Sequence, residues 1–88
     1  MNSLIRPALY QSHHAVVNLT RLDDGSASLA AVCGPICESG DVLARGRRLP
    51  DATVEDDVIV VDCVGAYGRC MASEYNLRHP GEEVVIPP

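Results

Sequence analysis

Turn-forming residues cut this chain into apolar segments too short for anything but strands and single helical turns. Gly34-Pro35, Ser39-Gly40, Pro50 and Pro80-Gly81 each end a ladder or set a reversal, because proline lacks a donor and glycine accepts the angles that turns need. Between these breaks, HAVVNLTRL at 14–22 alternates with period two. Ala15, Val17 and Leu19 fall on one side and Asn18 and Thr20 on the other, the pattern of a half-buried strand. DDGS at 23–26 supplies turn chemistry and predicts a hairpin into a second strand, ASLAAVC, at 27–33. A third strand or extended segment follows at 41–50, then the polar and exposed stretch DATVEDD at 51–57. VIVVDCVGAYG at 58–68 is so continuously apolar that it predicts the most buried strand, covered on both faces. Residues 71–79 lack periodicity, and EEVVI at 82–86 is a fifth short strand. Pro7 limits residues 3–12 to a short helical turn or loop. The predicted class is mainly β: a small β-sandwich or partial β-barrel with at most one short helix.

Composition limits how well such a unit can stand alone. A chain of 88 residues makes at most one domain, and a domain of that size buries only about 60–65% of its unfolded surface. Phe and Trp are absent, so the core falls to Val, Leu, Ile and Ala, with less area buried per residue. A unit of this kind leans on a partner. The net charge is −5, and all seven basic residues are arginine. That balance excludes nucleic-acid binding, which requires a clustered basic face. Arg45, Arg47 and Arg48, interrupted by Gly46, read as a solvated hairpin turn.

Cys33, Cys37, Cys63 and Cys70 are spaced CxxxC and CxxxxxxC, neither being the spacing of a structural zinc site. MNSLIRPALY has no basic and apolar leader pattern, so the cysteines read as reduced thiols of a cytoplasmic protein. No apolar run approaches the ~20 residues that span a bilayer, and the chain is expected to be soluble.

The segment that carries chemistry is GPICESGD, residues 34–41, where a thiol and a carboxylate, Cys37 and Glu38, stand side by side between two turns. Loops held this way commonly display reactive groups. Taken alone, Cys37 reads as a buried apolar filler and Glu38 as a solvated acid. Arg6 reads as a surface arginine, Tyr10 as an edge of the core, and Tyr67 within GAYG as ordinary packing. Cys33, Cys63 and Cys70 read as buried thiols, Asp41 as a buttress of the turn, and His13, His14 and His79 as solvated or locally satisfied.

Together, and in this order, MNSLIRPALY, GPICESGD and GAYG closely resemble the carboxyl-terminal region of diaminopimelate decarboxylases, fold type III enzymes that use pyridoxal phosphate. The resemblance extends from Met1 to about Ile86 and takes in Tyr75-Asn76, to which a structural role alone is given. It implies conversion of meso-diaminopimelate to L-lysine and carbon dioxide. Arg6 and Tyr10 would hold a substrate carboxylate, Glu38 the distal ammonium, and Tyr67 both substrate and cofactor phosphate. Cys37 would be the proton donor, a task for which a thiol is suited because it is mostly protonated at neutral pH yet readily discharged. The family also implies a homodimer in which Cys37 and Glu38 enter the partner subunit's site.

The resembled enzymes carry the cofactor in a separate barrel, on a Schiff-base lysine, and this chain contains no lysine. Residues 1–88 are therefore expected to be the C-terminal β-domain of such an enzyme, natural or truncated, lacking the barrel and inactive alone. Two alternatives stand beside this reading. One is a non-catalytic binding or assembly module. The other is a related decarboxylase of ornithine, arginine or carboxynorspermidine, although a glutamate beside the cysteine suits a distal amino-acid head group and favours diaminopimelate.

Overall fold

The computed structural model describes residues 1–23 and 25–88. It contains one α-helix, α1 (Arg6–Tyr10), and four strands, β1 (Val16–Asn18), β2 (Ala27–Cys33), β3 (Val42–Pro50) and β4 (Ile59–Val61). Single 3-10 turns lie at Leu19–Arg21, Arg69–Met71 and Tyr75–Leu77. The mainly β class with one short helix is as expected, and the sheet does not close into a barrel: β1 pairs with β4 and β2 with β3, each antiparallel. Both α1 and β1 pack against β3, so the β2–β3 ribbon is the platform of the fold.

That ribbon is bent where β3 carries extra residues. Ala30 faces Arg47 and Val32 faces Ala44, three steps along β3 against two along β2, which is the count of a β-bulge. Gly46 lies in the bulge with φ 61, a left-handed conformation that glycine takes without Cβ strain. The cluster Arg45, Arg47, Arg48 is consequently a bulged strand and not a hairpin turn. Arg47 is half-buried, donating to the His14 carbonyl at 2.5 Å and to His13 Nδ1 at 3.0 Å.

Three strand expectations are corrected. The predicted hairpin between the first two strands does not form, since β1 takes β4 as its partner; Asp24, in the middle of DDGS, lies outside the described residues. The first strand also ends early, at Asn18, and its alternation faces the other way. Asn18 is 1% exposed while Val17 and Leu19 are 43% and 51% exposed. Hydrogen bonding explains the inversion. Asn18 Oδ1 accepts from the Arg21 amide at 3.1 Å, capping the 3-10 turn, and its Nδ2 donates to Thr53 Oγ1 at 3.1 Å and Asp57 Oδ2 at 3.0 Å. A buried amide with three satisfied bonds is preferred over a buried leucine that would leave those groups unpaired.

The long apolar run at 58–68 yields only β4, whose residues are half-buried, because no second layer covers it. Residues 82–86 form no strand, with Val84, Val85 and Ile86 about as exposed as in an open chain at 79%, 89% and 86%. Cys33, Cys63 and Cys70 are exposed free thiols, at a strand end, in a loop and on a 3-10 turn, where no core reaches them.

The apolar core is correspondingly small. Leu4, Ile36, Ala44 and Leu49 are buried, alongside the polar residues Asn2, His14, Asn18 and Asp41. His14 is satisfied by Ser12 Oγ at 3.0 Å and the Asp62 carbonyl at 3.1 Å. Leu9, Leu19, Leu22, Leu29 and Leu77 remain exposed, spread over α1, the first 3-10 turn and its end, β2 and the last 3-10 turn.

Candidate functional site

The first cluster is assembled by α1 and the GAYG turn. Pro7 occupies the first helical turn, where its missing amide costs nothing. The helix then brings Arg6 and Tyr10, four residues apart, onto one face. The Arg6 guanidinium carbon sits 5.4 Å from the centre of the Tyr10 ring and 5.3 Å from that of Tyr67, within cation–π range of both. Tyr67 adopts φ 64, a conformation rare for a bulky side chain. The turn is tight enough that a Cβ on Gly68 would strike the Val64 carbonyl. Arg6, Tyr10, Tyr67 and Met71 line an open cleft of about 300 Å³. One cation held between two phenols, with its N–H fork still available, is suited to an anionic group.

The second cluster stands on the β2–β3 loop, and Asp41 builds that loop. Its side chain is 2% exposed; Oδ2 accepts the Ile36 amide at 3.0 Å, and Oδ1 accepts from the amino group of Met1. The backbone closes around it through Gly34 N–H to the Asp41 carbonyl at 2.9 Å and Asp41 N–H to the Glu38 carbonyl at 3.0 Å. The carboxylate fills the space that a Cβ on Gly34 would need. Asp41 thus buttresses the turn, as expected.

Ile36 is wholly buried, and the next residue, Cys37, turns outward with φ 61. Cys37 and Glu38 are both exposed, so the isolated-residue reading of Cys37 as a buried filler is overturned. The Cys37 thiol has only a weak contact, to the Pro35 carbonyl at 3.9 Å.

Sequence reasoning missed what holds this loop from outside. Tyr75 Oη donates to Glu38 Oε1 at 2.5 Å, and Asn76 Nδ2 donates to the Ile36 carbonyl at 2.8 Å. The carboxylate raises the Tyr75 phenol above its ordinary pKa, first through the hydrogen bond and then through its charge, so the phenol remains a donor at neutral pH. The Tyr-Asn doublet was visible in the sequence. That it reaches back some forty positions was not, since residues 71–79 have no periodicity to place them.

The candidate residues therefore fall into two groups. Arg6, Tyr10 and Tyr67 come together, whereas Cys37 and Glu38 do not line their cleft and make their contacts with Pro35 and Tyr75. Neither group includes an amine for a covalent cofactor linkage.

A small mainly β domain that displays polar residues in two separate clusters, one on α1 and the GAYG turn and one on the β2–β3 loop, is the class these features define. Comparison with known proteins narrows it. Residues 1–65 match the family described as pyridoxal-dependent decarboxylase, C-terminal sheet domain. Among curated relatives, the diaminopimelate decarboxylase of Archaeoglobus fulgidus is 49% identical over 85 residues, 97% of this chain and 20% of the relative. That of Campylobacter jejuni is 47% identical over 86 residues, covering 98% and 21%. The crystal structure of diaminopimelate decarboxylase from Helicobacter pylori complexed with L-lysine superposes with a TM-score of 0.80 at 41% identity, over 89% of this chain and 19% of that one. The chain belongs to the pyridoxal-dependent decarboxylase family, as its C-terminal sheet domain, and spans about one-fifth of the length of these relatives. No helix among the described residues is long and apolar enough to cross a membrane.

Proposed function

We propose that this chain supplies the C-terminal half-site of a decarboxylase acting on meso-diaminopimelate and giving L-lysine and carbon dioxide. The observation that carries the reading is the separate display of Cys37-Glu38 and of Arg6-Tyr10-Tyr67. Two groups that do not meet within one chain suit a site completed by further protein, with the Cys37 loop entering a partner subunit of a homodimer.

The residues present do not fit the covalent seat of pyridoxal phosphate, because the chain has no lysine. Pyridoxal phosphate, when held by a barrel domain, supplies the electron sink for loss of carbon dioxide. This chain's own part is recognition and proton delivery. Arg6 offers a substrate carboxylate its fork of donors, and Tyr10 adds a hydroxyl. Tyr67, exposed at 59%, presents a hydroxyl to substrate and cofactor phosphate. Glu38 takes the distal ammonium, and the Cys37 thiol gives a proton to the carbon that has lost carbon dioxide. Its outward-turned, scarcely bonded Sγ is free for that task.

A test joins the whole 88-residue chain to the amino-terminal four-fifths of the Campylobacter jejuni relative, in place of that protein's own C-terminal part. Lysine release from meso-diaminopimelate is expected, falling at least about a hundred-fold in Cys37→Ala, the scale of a lost general acid. Activity that survives Cys37→Ala would remove the proton-donor role. A second reading, an assembly module without catalytic duty, draws on the exposed leucines; it would be favoured if the chimera folds and dimerises yet makes no lysine.

A further inference from the structure

We propose that Tyr75 is a positioning residue that holds the Glu38 carboxylate in a single orientation for the substrate's distal ammonium, an inference that rests on the function proposed above. A glutamate on an exposed loop has three side-chain torsions and ordinarily samples many rotamers. Glu38 is such a residue, exposed and followed by Ser39 and Gly40. Here one of its oxygens is taken. Tyr75 Oη donates to Oε1 at 2.5 Å, while Oε2 has no hydrogen-bond partner among the described residues and is left to bind a ligand.

The donor itself is fixed. Ser73 N–H bonds to the Asn2 carbonyl at 2.8 Å, and Asn2 Nδ2 to the Arg78 carbonyl at 2.9 Å, so the buried Asn2 ties both ends of the segment that bears Tyr75. Asn76, in the left-handed conformation at φ 55, turns its amide to the Ile36 carbonyl. Consecutive residues thereby grip the Cys37-Glu38 loop at two points, one on its backbone and one on its working carboxylate. The raised pKa of the phenol is consistent with this contact and keeps the proton on Tyr75.

The consequence is specificity by distance. A carboxylate pinned at one oxygen presents the other at a fixed position, so an ammonium at the far end of a seven-carbon diacid is met without a further ordering cost, whereas a substrate lacking that ammonium gains nothing from the arrangement. Tyr75→Phe keeps the ring and removes only the hydroxyl.

In the chimeric enzyme, Tyr75→Phe is expected to raise KM for meso-diaminopimelate about five-fold, the cost of ordering one freed side chain on binding, with kcat nearly unchanged. KM for 2-aminopimelate, the same skeleton without the distal amino group, should not move. An equal change for both substrates would make Tyr75 a structural residue and overturn the proposal, as would no change for either. If the unsubstituted chimera makes no lysine, the decarboxylase reading fails and this inference with it. An active chimera indifferent to Tyr75→Phe defeats this inference alone.

Discussion

Replacing Gly34 with alanine should unhinge the Cys37-Glu38 loop through one collision. The φ of Gly34 is not left-handed, so alanine meets no backbone penalty there. Its Cβ would, however, overlap both carboxylate oxygens of Asp41. Asp41 is 2% exposed and has nowhere nearby to go without releasing the Ile36 amide and the amino group of Met1. Losing a buried, charge-assisted hydrogen bond costs about 1.5–3 kcal/mol. Alanine in place of glycine returns about 0.4–1 kcal/mol by restricting the unfolded chain. The net loss is about 1.5 kcal/mol, from a total that for a chain this size is roughly 4–13 kcal/mol. At about 4–8 °C per kcal/mol, the melting temperature followed by far-ultraviolet circular dichroism should fall by about 6–12 °C. Gly81→Ala, with open space around its Cβ, is the control and should be neutral. In an Asp41→Ala background the Gly34 substitution should cost little, giving a coupling energy of at least about 1 kcal/mol. Additive losses, or a Gly34→Ala melt within about 3 °C of the control, would refute the account of how this loop is held.

Other expectations follow from the same contacts. Asn18→Ala, which removes the cap on the 3-10 turn and two buried bonds to Thr53 and Asp57, should destabilise by about 2–3 kcal/mol, read as a lower urea midpoint with unchanged slope. Asp57 is held at a pKa of about 2, mainly by its hydrogen bond from Arg21 and then by Asn18, against an ordinary 3.8. Because the unfolded chain takes up that proton first, the stabilisation is complete above about pH 4 and is lost as pH falls towards 2. Asp57→Asn should flatten the urea midpoint's dependence on pH in that window, leaving the smaller slope from Asp51, whose carboxyl is also lowered, chiefly by Ser28; a slope identical to the parent's would count against the pairing. The 88-residue chain alone, given pyridoxal phosphate and meso-diaminopimelate, should release no lysine, and measurable release would show that the half-site reading is wrong.

How far the fold could be read from sequence depended on whether a signal was local. The Pro7 turn, the β2 and β3 strands and the loop between them were legible because turn chemistry is written in adjacent residues. Strand partnership was not. DDGS promised a reversal into a neighbouring strand, but β1 pairs with β4, and Asn18 ties β1 to the segment leading into β4 through bonds to Thr53 and Asp57, thirty-five and thirty-nine positions away. The same amide inverted the faces of β1, since alternation gives a period and not a direction. Continuous apolarity at 58–68 misled for a related reason. It reports a demand for cover on both faces, and within this chain that demand is met for β4 on neither side completely.

The exposed apolar side chains fit the proposal that further protein completes the site, and that protein would have to supply the amine that this lysine-free chain lacks. Cys37 and Glu38 stand out in the sequence because a thiol beside a carboxylate between two turns is unusual chemistry, and Arg6, Tyr10 and Tyr67 through the order of their motifs; the roles proposed for them await the tests above, and the stacking of Arg6 on both rings was not legible. Tyr75 and Asn76 escaped because residues proposed to position others have no chemistry of their own to advertise; only the path of the chain reveals that a phenol and an amide in an aperiodic segment bond to the carboxylate and backbone of a loop some forty positions earlier. In the proposed half-site, precision would have to come from within the domain, and the bonds of Asp41 from inside and of Tyr75 and Asn76 from outside are the contacts that would hold the loop in place.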